Sequence, residues 1–214
     1  MIISRISLTL CLMGELKLDC SKVGGLLFRL RKEKGLTQKQ VADHMNLSDK
    51  TVSKWERGLG CPDVSLLGEL SGLYEVNIEK ILSGNLEPNT PDSGNIKRMK
   101  FYVCPVCGNV ITNTGNAEIS CCGRKLPALS AKPADNSHRA AIEETDGEYY
   151  VTFHHEMKKD HYISFAAYIT NEKLLLVKLY PEQEASVRLP KLGSLHKSGI
   201  NFYYFCSRHG LYAL

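Results

Sequence analysis

Residues 36–58, LTQKQVADHMNLSDKTVSKWERG, constrain the fold of this chain more than any other stretch. They read as two short helices joined by a tight turn. Thr37 suits the N-cap of the first helix, and Gln40 three residues later completes a capping box. Val41, Ala42 and Met45 recur at helical spacing and give that helix one apolar face. Asn46 breaks it, Leu47 plugs the turn, and Ser48 offers a second N-cap. Val52 and Trp55 share one side of the next helix, which Gly58 ends. Small Ala42 lets the two helices approach closely. The opposite side of the second helix carries Asp49, Lys50, Ser53, Lys54 and Arg57. A helix that buries one face and offers polar, mostly basic side chains on the other suits a DNA major groove.

This stretch resembles the phage-repressor/Cro type (XRE family) of helix-turn-helix, over about residues 23–83. The resemblance implies a phosphate contact at Gln38 and contacts to bases and phosphates from Ser48, Asp49, Lys50, Ser53 and Lys54. Glu56 and Gly58 match the acidic residue and glycine that close such a recognition helix. The competing reading is a five-helix domain that binds only protein. Charge favours DNA: residues 22–57 hold nine Lys/Arg against four Asp/Glu, whereas the part from Phe101 onward holds twelve against eleven. The net charge of the whole chain, +4, excludes nothing by itself.

Flanking residues complete a small helical core. Val23, Leu26, Leu27 and Leu30 mark a first amphipathic helix ended by Gly35. Pro62 and Asp63 start a fourth helix with Leu66, Leu67, Leu70 and Leu73 inward, and Asn77 caps a fifth that ends near Gly84. The first twenty residues form an extension without a clear role. The apolar run 6–13 after Arg5 faintly resembles a signal peptide but is short and lacks a convincing cleavage site. Met13 is a plausible alternative start. No apolar run is long enough to span a bilayer, and with a DNA-binding module this points to the cytoplasm.

Residues 85–100, with two prolines and a glycine, read as a linker. Composition then shifts to aromatic and β-branched residues at strand lengths. The clearest strands are 148–153, 162–170, 173–180, 186–190 and 201–206, which suggest an antiparallel β-sandwich. The expected fold is multidomain α plus β. An extension (1–20) precedes a five-helix domain (21–84) and a linker (85–100). A four-cysteine β module (101–127) and the sandwich (128–214) follow.

Of the eight cysteines, four cluster in FYVCPVCGNVITNTGNAEISCCG, residues 101–123. In a reducing compartment that pattern suggests a metal. Cys104 and Cys107 are spaced so that a turn aims both sulfurs at one ion, and Gly108 frees the backbone there. Cys121 and Cys122 follow, then Gly123. Four thiolates make a closed tetrahedral site for iron or zinc, and spacing does not separate the two. Adjacent cysteines normally point apart, so both binding one ion requires an unusual turn. Residues 100–126 resemble desulforedoxin, which holds one iron on a C-x-x-C pair and a C-C pair. The spacing between the pairs is slightly shorter here. Lone Cys61 reads as a cysteine packed at a helix junction.

Near the C-terminus Cys206 and His209 form C-x-x-H before Gly210, and His155 and His161 stand six apart in HHEMKKDHYI. His138 precedes the first sandwich strand. With the upstream module, the order and spacing resemble desulfoferrodoxin, the two-domain superoxide reductase. The resemblance implies an immunoglobulin-like sandwich holding a second iron. By position, His138, His155, His161 and His209 would be its planar imidazoles and Cys206 its axial thiolate. His155, rather than adjacent His154, keeps the family spacing. One open coordination position would then admit a small oxidant such as superoxide. The sequence departs from the enzyme pattern, however. The Glu-Lys pair expected before the first histidine is Asn136-Ser137, and the proline after the second is Glu156.

Three readings follow. The first is a cytoplasmic, homodimeric regulator that binds a DNA operator and senses iron redox state or reactive oxygen, with no catalytic residue assigned. The second is a superoxide reductase carrying a DNA-binding domain. The third is a repressor with a metal-stabilised dimerisation platform.

Overall fold

The computed structural model describes residues 18–92, 94, 96–191 and 201–214. The extension before Leu18, including the apolar run and Met13, lies outside them. The chain divides into two compact units at Pro88 and Asn89.

The first unit is five helices, α1 (Cys20–Glu33), α2 (Gln38–His44), α3 (Asp49–Glu56), α4 (Leu67–Tyr74) and α5 (Ile78–Ser83). Local chemistry sets their ends. Asp19 accepts backbone N–H bonds from Ser21 and Lys22 at the start of α1. Thr37 and Gln40 form the expected capping box, and Ser48 caps α3 through the Thr51 amide. Asn46 turns the chain at φ 51°, and Gly58 stops α3 at φ 71°. Asp63 caps a single 3-10 turn, Val64–Leu66, that feeds α4. Asn77 stands at the α5 N-cap without a side-chain bond. Val23, Leu26, Leu27 and Leu30 of α1 meet Val41, Ala42, Val52, Trp55, Leu70, Tyr74 and Ile81 in one core. α1 and α3 touch closely: a Cβ on Gly24 would lie 1.9 Å from the Trp55 carbonyl oxygen.

One expectation fails in this unit. Cys61 is not merely packed at a helix junction. It is bonded to Cys20, across a sequence separation of 41 residues. Cys20 therefore has a role that its place in the sequence hid. Closing a loop of that span stabilises the folded state by about 4 kcal/mol in the chain-entropy account.

The second unit begins with two hairpins, β1 (Lys100–Val103) with β2 (Val110–Asn113) and β3 (Ile119–Cys121) with β4 (Arg124–Leu126). A two-sheet sandwich follows. Its strands are β5 (Lys132–Pro133), β6 (Ala140–Thr145), β7 (Glu148–Phe153), β8 (Ile163–Ile169), β9 (Leu174–Lys178), β10 (Ser186–Pro190), β11 (Asn201–Cys206) and β12 (Gly210–Ala213). One sheet runs β10-β7-β6 and the other β5-β12-β11-β8-β9, antiparallel except for the β5–β12 pair. Tyr149, Val151 and Phe153 of β7 face Ile163, Ala166, Tyr168 and Tyr204 between the sheets. Every residue of β8 is buried, because its other face meets the first hairpin: Phe165, Ala167 and Ile169 pack with Phe101. Ile96 and Met99 pack onto the same cluster. The end of the polar stretch 85–100 is thus part of this unit rather than free chain.

Candidate functional site

Three groupings of side chains carry chemistry: the outer face of α3, a four-cysteine cluster and a histidine-cysteine cluster.

On α3, burying Val52 and Trp55 leaves Asp49, Lys50 and Lys54 exposed, with Ser53 half-buried and Arg57 exposed just beyond. Ser48 keeps its hydroxyl 3.2 Å from the Thr51 amide and 2.9 Å from the Thr51 hydroxyl, so in this state it serves the cap. Gln38 donates to Glu56 Oε2 at 2.7 Å. The same carboxylate receives Arg31 Nε at 2.5 Å and Nη2 at 2.8 Å. Burial alone pushes Glu56 up, but hydrogen bonds from Arg31 and Gln38 prevail and hold it below the usual carboxylate range. Arg31, whose own pKa is raised by Glu56, also donates to the Leu36 carbonyl. This buried pair ties α1, the start of α2 and the end of α3 together, fixing the pitch of the candidate recognition helix. Sequence reasoning missed Arg31. Its signal was its place on the Leu27/Leu30 face of α1.

The four cysteines converge at the tips of the two hairpins. The sulfurs of Cys104, Cys107, Cys121 and Cys122 all lie within 4.8 Å of one another. Cys107 and Cys121 are 3.6 Å apart and Cys121 and Cys122 4.0 Å. A tetrahedron with metal–sulfur bonds of about 2.3 Å has edges of about 3.8 Å. The unusual turn required by adjacent ligands is present: Cys122 has φ 50° and Gly123 φ 72°, while Gly108 at φ 67° closes the first pair's turn. Backbone amides of Cys107 and Val106 aim at Cys104 and lower its pKa to about 6. Hydrogen bonding of the Cys122 thiol to the Cys107 and Cys104 sulfurs pushes it up to about 12. A cation at the centre would relieve that opposition.

The second cluster sits where β11 ends. His138 Nε2 is 3.0 Å from His209 Nδ1, and His161 Nε2 is 3.2 Å from the same atom. Cys206 Sγ is 3.4 Å from His155 Nε2 and 3.5 Å from His209 Nδ1. All five donor atoms fall within 4.8 Å. The structure brings together every histidine and cysteine that the sequence assigned here, and leaves His154 outside. Cys206 is fully buried, whereas His209 is exposed, so the cluster reaches solvent from one side.

The outward nitrogens are engaged as well. His138 Nδ1 donates to Asp135 Oδ1 at 2.7 Å. His161 Nδ1 donates to Glu156 Oε1 at 2.5 Å, and His155 Nδ1 to the Glu156 backbone carbonyl. Three imidazoles are thereby fixed in the tautomer that points a free Nε2 inward, the arrangement that favours metal ligation. His138 and Ser137 hold Asp135 well below the usual carboxylate range. Lys158, then His161, lowers Glu156 to about 2. Desolvation of the ring nitrogens lowers His155 and, although that residue is exposed overall, His209, and burial raises the Cys206 thiol. Tyr212 stacks on His138 with ring centroids 4.3 Å apart. Asp135 escaped the sequence reading because it lies outside the expected ligand set. Glu156 was visible only as a replaced proline.

Residues 27–81 match the helix-turn-helix family. A helix-turn-helix domain occupies this part of the chain. Two curated relatives each match part of the chain. The HTH-type transcriptional activator BcrR of Enterococcus faecalis is 35% identical over 80 residues, 36% of this chain and 39% of that protein. The HTH-type transcriptional regulator ImmR of Bacillus subtilis (strain 168) is 35% identical over 60 residues, 28% of this chain and 47% of that protein. The chain thus spans less than half the length of these relatives. Among solved structures, the superoxide reductase from Treponema pallidum superposes with a TM-score of 0.45 and 19% identity, covering 54% of this chain and 97% of its own. No helix among the described residues is long and apolar enough to cross a membrane.

Proposed function

We propose that this chain is a DNA-binding transcription regulator whose C-terminal unit holds iron and reports its oxidation to the helix-turn-helix domain. It works as a homodimer on a two-fold operator, the arrangement such domains commonly read. The observation that carries this is the convergence of four imidazoles and one thiol in a chain that also bears a helix-turn-helix domain. Such a donor set suits iron, with one position left for a small oxidant such as superoxide. Bound there, iron would supply one-electron chemistry. Cys206 contributes the single soft, anionic donor. Asp135 and Glu156 hold the imidazoles in register. The four thiols suit iron or zinc.

A sensor fits better than an enzyme because the two positions directly before His138, Asn136 and Ser137, supply neither a cation nor an acidic proton donor. Asn136 is neutral and exposed. Ser137 gives its hydroxyl to Asp135 at 2.8 Å. The exposure of His209 favours the second reading, superoxide reduction, since an oxidant can reach the cluster. Stopped-flow mixing of the ferrous protein with superoxide separates the two. The sensor reading expects slow turnover that Asn136→Glu/Ser137→Lys accelerates. Natural protein as fast as that double variant favours the enzyme.

A further inference from the structure

The helix-turn-helix unit carries a cysteine pair that the iron chemistry does not use. Cys20 lies in the first turn of α1, and Cys61 in the loop that leaves α3. Both are half-buried rather than part of the core. Packing brings the start of α1 against the end of α3 independently of the bond, while the bond ties the following loop to α1. A Cβ on Gly58 would lie 2.8 Å from the Ser21 Cα, and Gly24 is pressed onto Trp55. The sulfurs therefore stay close when reduced, and the bond can open and close without unfolding the unit. In a reducing compartment, disulfides of this kind are usually transient and redox-sensing.

We propose that Cys20 and Cys61 form a reversible dithiol–disulfide site for hydroperoxides, a second oxidant-responsive centre built into the DNA-binding unit. The proposal rests on the DNA-binding part of the preceding reading, and not on iron. Cys20 stands at the positive end of α1, which favours an anion, and is the attacking thiolate. It attacks the distal oxygen of ROOH: the S–O bond forms, the O–O bond breaks, RO⁻ leaves and is protonated to ROH, and Cys20 becomes a sulfenic acid. The Cys61 thiolate then attacks that sulfur, the S–S bond forms, and hydroxide leaves as water. The peroxide gains the two electrons that the thiols lose. The bond pins the loop 57–63, which is joined to the recognition helix by the Leu59 amide on the Lys54 carbonyl at 3.0 Å. Gly60 in that loop backs the Lys54 side chain. Oxidation thus pre-orders the region around Lys54, and a region ordered beforehand binds more tightly.

The test uses full-length protein and a duplex selected by the reduced wild type from a random-sequence pool. Wild type, Cys20→Ser/Cys61→Ser and Cys206→Ser are reduced without oxygen and treated with stoichiometric hydrogen peroxide. Free thiols are alkylated, cross-linked peptides are identified by mass spectrometry, and duplex affinity is measured. The expected result is a Cys20–Cys61 cross-link, with at least fivefold tighter binding, in wild type and in Cys206→Ser. The double variant should show no gain through these thiols, which its comparison with Cys206→Ser isolates. The proposal is overturned by a cross-link that leaves the affinity of Cys206→Ser unchanged. It is also overturned if no cross-link forms, or if dithiothreitol cannot open it in the native protein. The cross-link and its reduction are read on wild type, so they remain decisive if the double variant misfolds. A Cys206→Ser response equal to wild type would count against iron sensing while leaving this proposal standing.

Discussion

The two candidate metal centres are built in opposite ways. Around the four thiols the buried residues are Tyr102, Leu126 and one ligand, Cys104, itself. So small a core cannot hold the second hairpin in place. Phe101, Val103 and Val110 anchor the first on the sandwich, so the metal would tie the second hairpin to the first. The histidine-cysteine cluster instead hangs from a sandwich whose core includes Val151, Tyr168, Phe202 and Tyr204. Cys206 belongs to that core, but most of its members are not ligands. A closed site that organises its own fold serves structure. A five-donor site on a finished scaffold is free to change ligation and charge, as a sensor requires.

The comparison can be broken most forcefully at the thiols. Cys104→Ser/Cys107→Ser/Cys121→Ser/Cys122→Ser should abolish metal binding there and melt the second hairpin, β3–β4, a loss on the order of 10 kcal/mol of coupled binding energy. Amide exchange should show protection lost in β3–β4 and kept in the sandwich and the strand β1 packed on it. An intact β3–β4 hairpin would mean the module needs no metal. The second centre should respond differently. Cys206→Ser should remove thiolate-to-iron charge-transfer colour and any oxidation response of DNA binding routed through the iron, while the sandwich still unfolds cooperatively. A collapsed sandwich would erase the contrast between the two sites.

Acid sharpens the same contrast in metal-free protein. Desolvation lowers His155 and His209 from the ordinary value of 6.5. As pH falls below 6.5 the unfolded chain takes up those protons first, so the sandwich loses stability toward acid. Asp135 and Glu156 act in the same direction at lower pH, because their depressed pKa values favour the fold only above the ordinary carboxylate range. Urea midpoints measured between pH 7 and 4 should fall. Flat midpoints would mean that the two ring systems are not desolvated as described.

Smaller effects separate reading DNA from holding metal. Lys50→Ala should weaken discrimination of a selected duplex by about 1–3 kcal/mol and leave both metal spectra unchanged. Asp135→Asn and Glu156→Gln should keep the iron but shift the visible band and the reduction potential, since each loosens one imidazole. Unshifted spectra would deny those carboxylates a positioning role.

Local chemistry is what made much of this legible. The capping box at Thr37, the break at Asn46 and the strands 148–153, 186–190 and 201–206 all depend on near neighbours or on alternation. The four-cysteine cluster was readable because metal ligation restricts residue type and spacing, whereas the histidine-cysteine set was legible only through a family resemblance. What escaped depends on distant partners. Cys20 meets Cys61 only once α1 packs on α3, and Arg31 finds Glu56 only in the folded unit. β6, AAIEET, is largely exposed and lacks the apolar alternation that marks a strand.

One measurement tests the central claim most directly. Protein purified without oxygen is analysed for metal and examined by visible and electron paramagnetic resonance spectroscopy, then titrated with duplex in its reduced, oxidised and metal-free forms. The account predicts iron at the histidine-cysteine centre, a thiolate charge-transfer band on oxidation that Cys206→Ser removes, and an affinity that changes with the iron's oxidation state. A protein that takes up no iron there, or that binds DNA equally in all three forms, would contradict it.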